Sequence, residues 1–275
     1  MIGSVHLVTA LQKELQMVYE YNASLVSENK IPNHNFDAII VETKRLAIEN
    51  SFLEPDGFLK ISKVSNTVNE LKKFLTKFKI YFPSLYQLSE QTTHTEVIVT
   101  SIESIITPYA QVADKASPTL RQIRKDIGTI RAKIGQSFTS ALSGAVGLGY
   151  LDDIKETIVD NQRVLAVTAM HRKKIKGSLL GASKSGNIVY IAPEATLRYH
   201  RELQNLMYEE NIEVVRILKE LSTEIRPFIG LLESYMQLLI HLDVIGAKAK
   251  YAKDINAVLP KISSEKKIEF KNESN

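Results

Sequence analysis

The residues most able to do chemistry in this sequence are cationic side chains concentrated between residues 160 and 184. That window holds six cations and one acid, Asp160, whereas residues 194–224 hold seven acids and four cations. Lysine and arginine at high local density bind phosphates and release condensed counterions. The pattern therefore predicts a nucleic-acid backbone site, with an ordinary solvated loop as the alternative. The predicted contacts are Arg163, Arg172, Lys173, Lys174, Lys176 and Lys184.

A glycine-bounded segment, Gly181 to Gly186, is spaced like a phosphate-binding loop. Asn187 and Ile188 follow it, where a nucleotide-binding loop needs lysine and then a hydroxyl side chain. A hairpin turn with Gly186 at positive φ explains the same residues. The segment is therefore interpreted as a turn and not as a cofactor site.

Other residue types offer no catalytic constellation. The six histidines lack metal-ligand spacing, and the sequence has no cysteine. The adjacent acids Asp152-Asp153 and Glu209-Glu210 point apart in a strand or helix, so they cannot converge on one substrate atom. The sequence thus predicts a binding protein, not an enzyme, with no metal and no cofactor of its own.

Composition is that of an ordinary globular chain: 275 residues, 44% hydrophobic, 24% charged and a net charge of +4. No uninterrupted apolar run of about 18 residues occurs, so neither a signal peptide nor a membrane span is predicted. The lack of cysteine fits a reducing compartment, and we expect a cytoplasmic protein.

A long helix is predicted before the cationic segment. Ser117 and Pro118 give an N-cap followed by proline at the first helical position. The helix, over 118–142, would measure about 38 Å. One narrow apolar stripe suits a single partner helix: Leu120, Ile123, Ile127, Ile130, Ile134 and Phe138. Cations on the other faces could extend the positive surface or merely be solvated: Arg121, Arg124, Arg131 and Lys133.

Glycines at 144, 147 and 149 then break the helical period. Residues 157–170 and 176–193 are rich in Val, Ile, Leu and Thr with turn residues between them, which predicts about four short antiparallel strands. A second helix of about 45–50 Å follows Pro193 and ends before Pro227. Its apolar stripe is Leu203, Met207, Val214, Leu218, Leu221 and Ile225.

Helical periodicity also covers the ends of the chain. Helices are predicted over 5–27, over 95–110 and over 228–257. Another follows Pro55, with Asp56 as its cap and an apolar face of Leu59, Val64, Val68, Leu71, Leu75 and Phe78.

These elements predict a mainly α fold, in which a helical core and two long antiparallel lever helices carry a small inserted antiparallel β domain. The expected organisation is a helical core and outgoing lever helix over 1–145, and a β clamp insertion over 146–193. A returning lever helix and last core helix follow over 194–262, and a linker over 263–275.

Short motifs between about 114 and 262 resemble one family. They are Ser117-Pro118-x-Leu120-x-x-Ile123-Arg124, Val164-Leu165-Ala166-Val167, Ile175-Lys176-Gly177, Ser183-Lys184-Ser185-Gly186, Val189-Tyr190-Ile191-x-Pro193, Arg201-Glu202-Leu203, and Asp243 with Ala247-Lys248-Ala249-Lys250-Tyr251-Ala252. In type and order they resemble the lever and clamp region of MutS DNA mismatch repair ATPases, in the subgroup without the N-terminal mismatch-recognition domain. This sequence departs from the family pattern at four positions. Leu180, Gly181 and Ala182 stand where relatives tend to carry His, Asp and an amide or acid, and Ala192 stands where they often carry Glu.

The resemblance implies that the clamp contacts the backbone of double-stranded or branched DNA without sequence specificity, as part of a DNA repair or recombination protein. It also implies coupling to an ATPase domain, and a homodimer in the full-length protein. The sequence to residue 275 holds no Walker motif, so ATP and Mg²⁺ are expected only for that full-length protein. RNA or the ribosome stays open as a target. The alternative function is a helical coiled-coil dimerisation module without nucleic-acid binding.

Overall fold

A computed structural model describes residues 2–262 and their side chains from residue 8 onward. The predicted linker at 263–275 lies outside the described residues. The chain divides into two compact units. The helical unit comprises residues 2–111 and 218–262, and the sheet unit comprises residues 112–217.

The structure is mainly α with one four-stranded antiparallel sheet, as the sequence predicts. Two of the helices, α2 and α4, were not predicted, because seven residues are too few to show a helical period. In chain order the elements are α1 (Ile2–Val26), α2 (Ile40–Leu46), α3 (Pro55–Lys77), α4 (Pro83–Ser89), α5 (Val97–Ile105), α6 (Pro118–Gly147), β1 (Leu151–Val159), β2 (Gln162–Thr168), β3 (Gly177–Ala182), β4 (Ile188–Pro193), α7 (Glu194–Ile225) and α8 (Ile229–Asp254), with 3-10 helices at Asp114–Ala116, Ala169–Lys174 and Arg226–Phe228.

The helical unit is built around α8, which packs against α1 and α3. Tyr235 of α8 is fully buried, and its hydroxyl donates a hydrogen bond to the Thr93 carbonyl at 2.6 Å. A Cβ on Gly246 would lie 3.0 Å from the Tyr21 ring, so this glycine allows α1 and α8 to approach closely. Burial raises the pKa of the Tyr235 phenol to about 12.

The helical stretch that contains α8 is also notably apolar. Among the described residues, the continuous helical stretch Glu194–Asp254 includes an 18-residue window with mean hydropathy 1.4, sufficient in length and composition to cross a membrane. The packing of α8 in the helical unit accounts for buried apolar residues in the same stretch, namely Leu232, Leu239, Leu242 and Ile245.

Helix α3 corrects one prediction. Its buried face includes Val64, Val68 and Leu71, as expected, but its N-cap position is Glu54 and no side chain caps it. Asp56 lies one residue inside the helix, in the first turn, where a carboxylate favours the helix dipole without being the cap. The Asp56 cap was therefore wrong.

The start of α6 confirms its predicted signal. The Ser117 hydroxyl accepts a hydrogen bond from the Leu120 amide at 2.9 Å, and Pro118 is the first helical residue. The end of α6 differs from the prediction, because the helix continues through Gly144 to Gly147. A glycine in a helix costs only about 1 kcal/mol, which packing on the sheet offsets.

The strands lie in the order β1-β2-β4-β3, and every neighbouring pair is antiparallel. Asp160 and Asn161 form the β1–β2 turn with φ of +46° and +59°, as a two-residue hairpin requires. Gly186 has φ of +74° in the β3–β4 turn, which confirms the prediction for that segment. Strand β1 begins at Leu151, earlier than predicted, because its polar residues lie on an exposed edge and conceal the pattern.

One face of the sheet packs against the last turns of α6. Phe138 and Ala145 of that helix are buried against Leu165, Val167 and residues of β4. Gly177 fixes the β3 edge, because a Cβ there would lie 2.2 Å from the Ala192 carbonyl oxygen. The sheet and the end of α6 therefore share one core.

Candidate nucleic-acid interface

Three of the predicted contact residues are consecutive and exposed. Arg172, Lys173 and Lys174 form the last turn of the 3-10 helix Ala169–Lys174, which connects β2 to β3. A short helix between strands holds all three cationic groups within one turn. A 3-10 helix has about three residues per turn, so the three consecutive side chains point in different directions and share one short segment.

The remaining lysines lie at opposite ends of β3. Lys176 immediately precedes the strand, and its carbonyl accepts a hydrogen bond from the Glu194 amide at 3.0 Å. Lys184 lies in the β3–β4 turn, beyond the other end of the strand. Six strand residues span about 20 Å, so Lys184 is separate from the other lysines. Both side chains are exposed.

Arg163 has a different environment from the other five. Its guanidinium donates to the Glu156 carboxylate at 2.6 Å and lies 4.3 Å above the centre of the Phe138 ring. The positive charge is therefore already paired, and the side chain covers part of the core. Arg163 is exposed like the other five, but the structure places it on the sheet in an ion pair.

An open cleft of 610 Å³ lies within the sheet unit, next to Lys174 and Lys176. Its walls come from the last turns of α6, from the segment entering β3 and from the start of α7. Arg198 brings a third cation, and Glu194 brings a carboxylate. The side chains that complete the lining include Tyr150, Tyr199, Ser137, Ala141 and Leu148.

A polar joint connects α6 to α7 about 20–40 Å along α6 from the sheet core. We define it as Asp114, Ser117, Arg124, Glu210 and Glu213. Arg124 donates to Glu210 at 2.7 Å, to Asp114 and to the Val112 carbonyl. Burial alone would lower the pKa of Arg124, but its hydrogen bonds to the two carboxylates raise it.

Glu213 is the most strongly held group of the joint. Arg216 donates to its carboxylate at 2.7 Å, and the Ser117 hydroxyl donates at 2.6 Å. These bonds lower the pKa of Glu213 from 4.5 to about 2. Because Arg124 is also committed to this joint, the idea that it extends the positive surface along α6 was wrong.

Sequence reasoning missed three residues of the cleft. Arg198 and Tyr199 follow the strand segment by only a few residues, and Tyr150 immediately precedes β1. The signal in the sequence was the adjacent pair Arg198-Tyr199 in the first turns of α7. Side chains at that position lie near the groups that surround the end of the preceding strand, β4. Composition counts over 194–224 concealed it, because acids outnumber cations there.

Comparison with known proteins gives a consistent set of relatives. A protein named endonuclease MutS2 from Lacticaseibacillus casei is 31% identical over 94% of this chain and 33% of its own length. Its namesake from Alkaliphilus oremlandii is 28% identical over 98% of this chain. A putative endonuclease MutS2 from Bacillus subtilis is 28% identical over 92%. The chain spans about a third of the length of these relatives, and no protein-family model matches it.

Proposed function

Because this chain belongs to the MutS family, we propose that its sheet unit binds the sugar–phosphate backbone of DNA without sequence specificity. The proposed partner is double-stranded or branched DNA, in the setting of DNA repair or recombination. The proposal rests on one observation. Among the described residues, all five cations between residues 172 and 184 are exposed and take part in no ion pair: Arg172, Lys173, Lys174, Lys176 and Lys184.

Exposed, unpaired cations are suited to this role for an electrostatic reason. A cation already paired with a carboxylate must lose that partner before it binds a phosphate, whereas a solvated lysine loses only water and mobile counterions. Each neutralised phosphate of duplex DNA releases condensed ions, so the logarithm of affinity falls by about 0.9 for each tenfold rise in salt. The five cations are expected to bind additively and without base recognition.

Duplex binding across a series of salt concentrations tests the proposal. We expect the variant Lys173→Ala/Lys174→Ala to bind more weakly, and its salt slope to fall by about 2 because two phosphate contacts are lost. Arg131→Ala/Lys133→Ala is the matched control, since it removes equal charge from the exposed surface of α6. An equal loss in both variants would show a general charge effect and contradict the proposed site.

The alternative is a helical dimerisation module without nucleic-acid binding. It is favoured by exposed apolar side chains on α7, where Met207, Tyr208 and Ile212 are each about half exposed or more. Analytical ultracentrifugation of the wild type and of Met207→Glu/Ile212→Glu distinguishes the two functions. A stable dimer lost in that variant, with no affinity for DNA at any salt concentration, would support the alternative.

The binding role also has a proposed mechanical part. We propose that α6 and α7 transmit nucleotide-driven motion from the ATPase domain that the family resemblance implies, because long helices convert a small rotation into a large displacement. ATP and Mg²⁺ would then bind outside this region, which would bind DNA without reacting with it. A cytoplasmic location and a homodimer of the full-length protein belong to the same proposal.

A further inference from the structure

The cleft of the sheet unit has the size and the lining of a ligand site. Its volume of 610 Å³ falls in the range of small-molecule sites, which is roughly 300–1,000 Å³. Ser137, Ala141 and Gly144 line the α6 side, so small residues leave that wall open. A Cβ on Gly144 would meet nothing within 4 Å, which confirms unoccupied space above the helix.

Charge in the cleft favours an anion. Lys174, Lys176 and Arg198 contribute three positive charges against the single carboxylate of Glu194. None of the three cations takes part in an ion pair among the described residues. The first turn of α7 also lies at the cleft, and the amide groups there add to the positive field.

Aromatic groups in the cleft favour a flat ring beside that anion. Tyr150 and Tyr199 line the cleft, where the Arg198 guanidinium covers one face of the Tyr199 ring at 4.5 Å and the His171 ring lies 4.7 Å from the Tyr150 ring. Tyrosine rings and guanidinium planes are the surfaces on which unpaired bases stack. A ligand that combines a phosphate with a planar ring therefore fits both halves of the lining.

We infer that the cleft binds an unpaired nucleotide, with its phosphate at Lys174, Lys176 and Arg198 and its base against the tyrosines. This inference rests on the proposed DNA-binding function and adds to it a preference for DNA with an unpaired strand. A base inside a duplex is stacked and paired, so its flat faces are not accessible. The same chemistry could come from a free nucleotide, and the experiment separates the two sources.

The experiment compares a blunt duplex with the same duplex carrying a single-stranded extension, using fluorescence anisotropy and the whole chain. We expect the extension to tighten binding about tenfold, because one or more bases can stack. Tyr199→Leu is expected to abolish this preference while the affinity for the blunt duplex stays the same. Competition with adenosine monophosphate tests whether a free nucleotide binds in the same cleft. If it does, we expect adenosine monophosphate to lower the affinity for the extended duplex to that for the blunt duplex.

A second variant protects the test against misfolding. Gly144→Leu fills the cleft from α6 and replaces a helical glycine by a good helix former, so we expect stable protein without the preference for the extension. Gly147→Leu is the matched control, because Gly147 is also helical and open but does not line the cleft. We expect it to keep the preference.

The outcomes separate this inference from the function on which it rests. Equal affinity for blunt and extended duplexes, without binding of adenosine monophosphate, would overturn the nucleotide site and leave backbone binding intact. A preference that survives both Tyr199→Leu and Gly144→Leu would overturn it as well. Absence of any duplex binding that depends on Lys173 and Lys174 would instead refute the proposed function.

Discussion

The polar joint and the cationic surface use charge in opposite ways, although both belong to the sheet unit. Arg124 at the joint has two carboxylate partners and a carbonyl, and Glu213 has an arginine and a hydroxyl. Arg172, Lys173 and Lys174 at the sheet are exposed and take part in no ion pair among the described residues. Charges of the first kind hold helices together, whereas charges of the second kind are available to a ligand.

The environment of a cation in this protein determines whether it contributes to stability or to binding. Exposed charges contribute little to stability, with typical values of about 0–1 kcal/mol even when paired. Partly buried charges with several hydrogen bonds contribute more, since removing one leaves its partners unsatisfied. Substitutions at the joint should therefore change the free energy of unfolding, and substitutions at the cationic surface should change binding.

Gly177→Ala should have the largest effect, because it disturbs the strand that Lys176 immediately precedes, without changing any charge. The added Cβ would lie 2.2 Å from the Ala192 carbonyl oxygen, so β3 and β4 must separate. We expect a loss of about 3 kcal/mol in urea unfolding. Gly144→Ala is the control and should be neutral or slightly stabilising. A harmless Gly177→Ala would mean that this close approach does not position the sheet edge.

Arg124→Ala tests the joint directly. It leaves Glu210 and Asp114 without their arginine and the Val112 carbonyl without its donor, so we expect a loss of about 2 kcal/mol in the free energy of unfolding. Arg131→Ala on the exposed face of the same helix should cost less than about 0.5 kcal/mol. Equal effects of the two substitutions would remove the distinction between paired and exposed cations.

Acid should weaken the joint through Glu213. Because its folded-state pKa is lowered from 4.5 to about 2, its stabilisation is complete above pH 4.5 and is lost as the pH falls towards 2. We expect an effect between those of Arg124→Ala and Ser117→Ala. The measurement is the difference in unfolding free energy between wild type and Glu213→Gln, which should shrink over this pH range. A difference that is constant with pH would argue against the lowered pKa.

Ser117→Ala removes a cap and a donor to Glu213 in one step. Loss of the N-cap costs about 1 kcal/mol, and the melting temperature should fall accordingly. Ser117→Thr keeps a hydroxyl at the same position and should retain most of the stability. If both variants were equally unstable, the hydroxyl would not be the stabilising group.

Lys173→Ala/Lys174→Ala should have the smallest effect on folding. Both side chains are exposed, so we expect the free energy of unfolding to change by less than about 0.5 kcal/mol. The same variant is the one expected to bind DNA more weakly. A large loss of stability would show that these lysines stabilise the fold, as the charges of the polar joint do. It would contradict the distinction between the two groups of charges.

Local signals in the sequence predicted much of the architecture. Ser117 and Pro118 predicted the start of α6, and the turns at Asp160-Asn161 and Gly186 predicted two hairpins. These features depend on backbone conformations that a few neighbouring residues impose. Gly144 misled, because its helical conformation depends on packing of the following turn, where Ala145 enters the sheet core.

The candidate site was less predictable than the fold. The sequence identified a group of cations, but it could not separate Arg163, which Glu156 pairs across a hairpin, from the lysines without an ion pair. Nor could it place Arg198 in the same cleft as Lys174, because the two belong to different elements that meet only in the folded unit.

Residue order alone thus determined the helices, the hairpins and the local excess of positive charge, because capping, turn geometry and charge density act between near neighbours. The tertiary structure determines which of these charges have an ion-pair partner and which do not. Whether an arginine meets a carboxylate or faces a cleft depends on residues far apart in the chain, and only packing brings those residues within hydrogen-bonding distance.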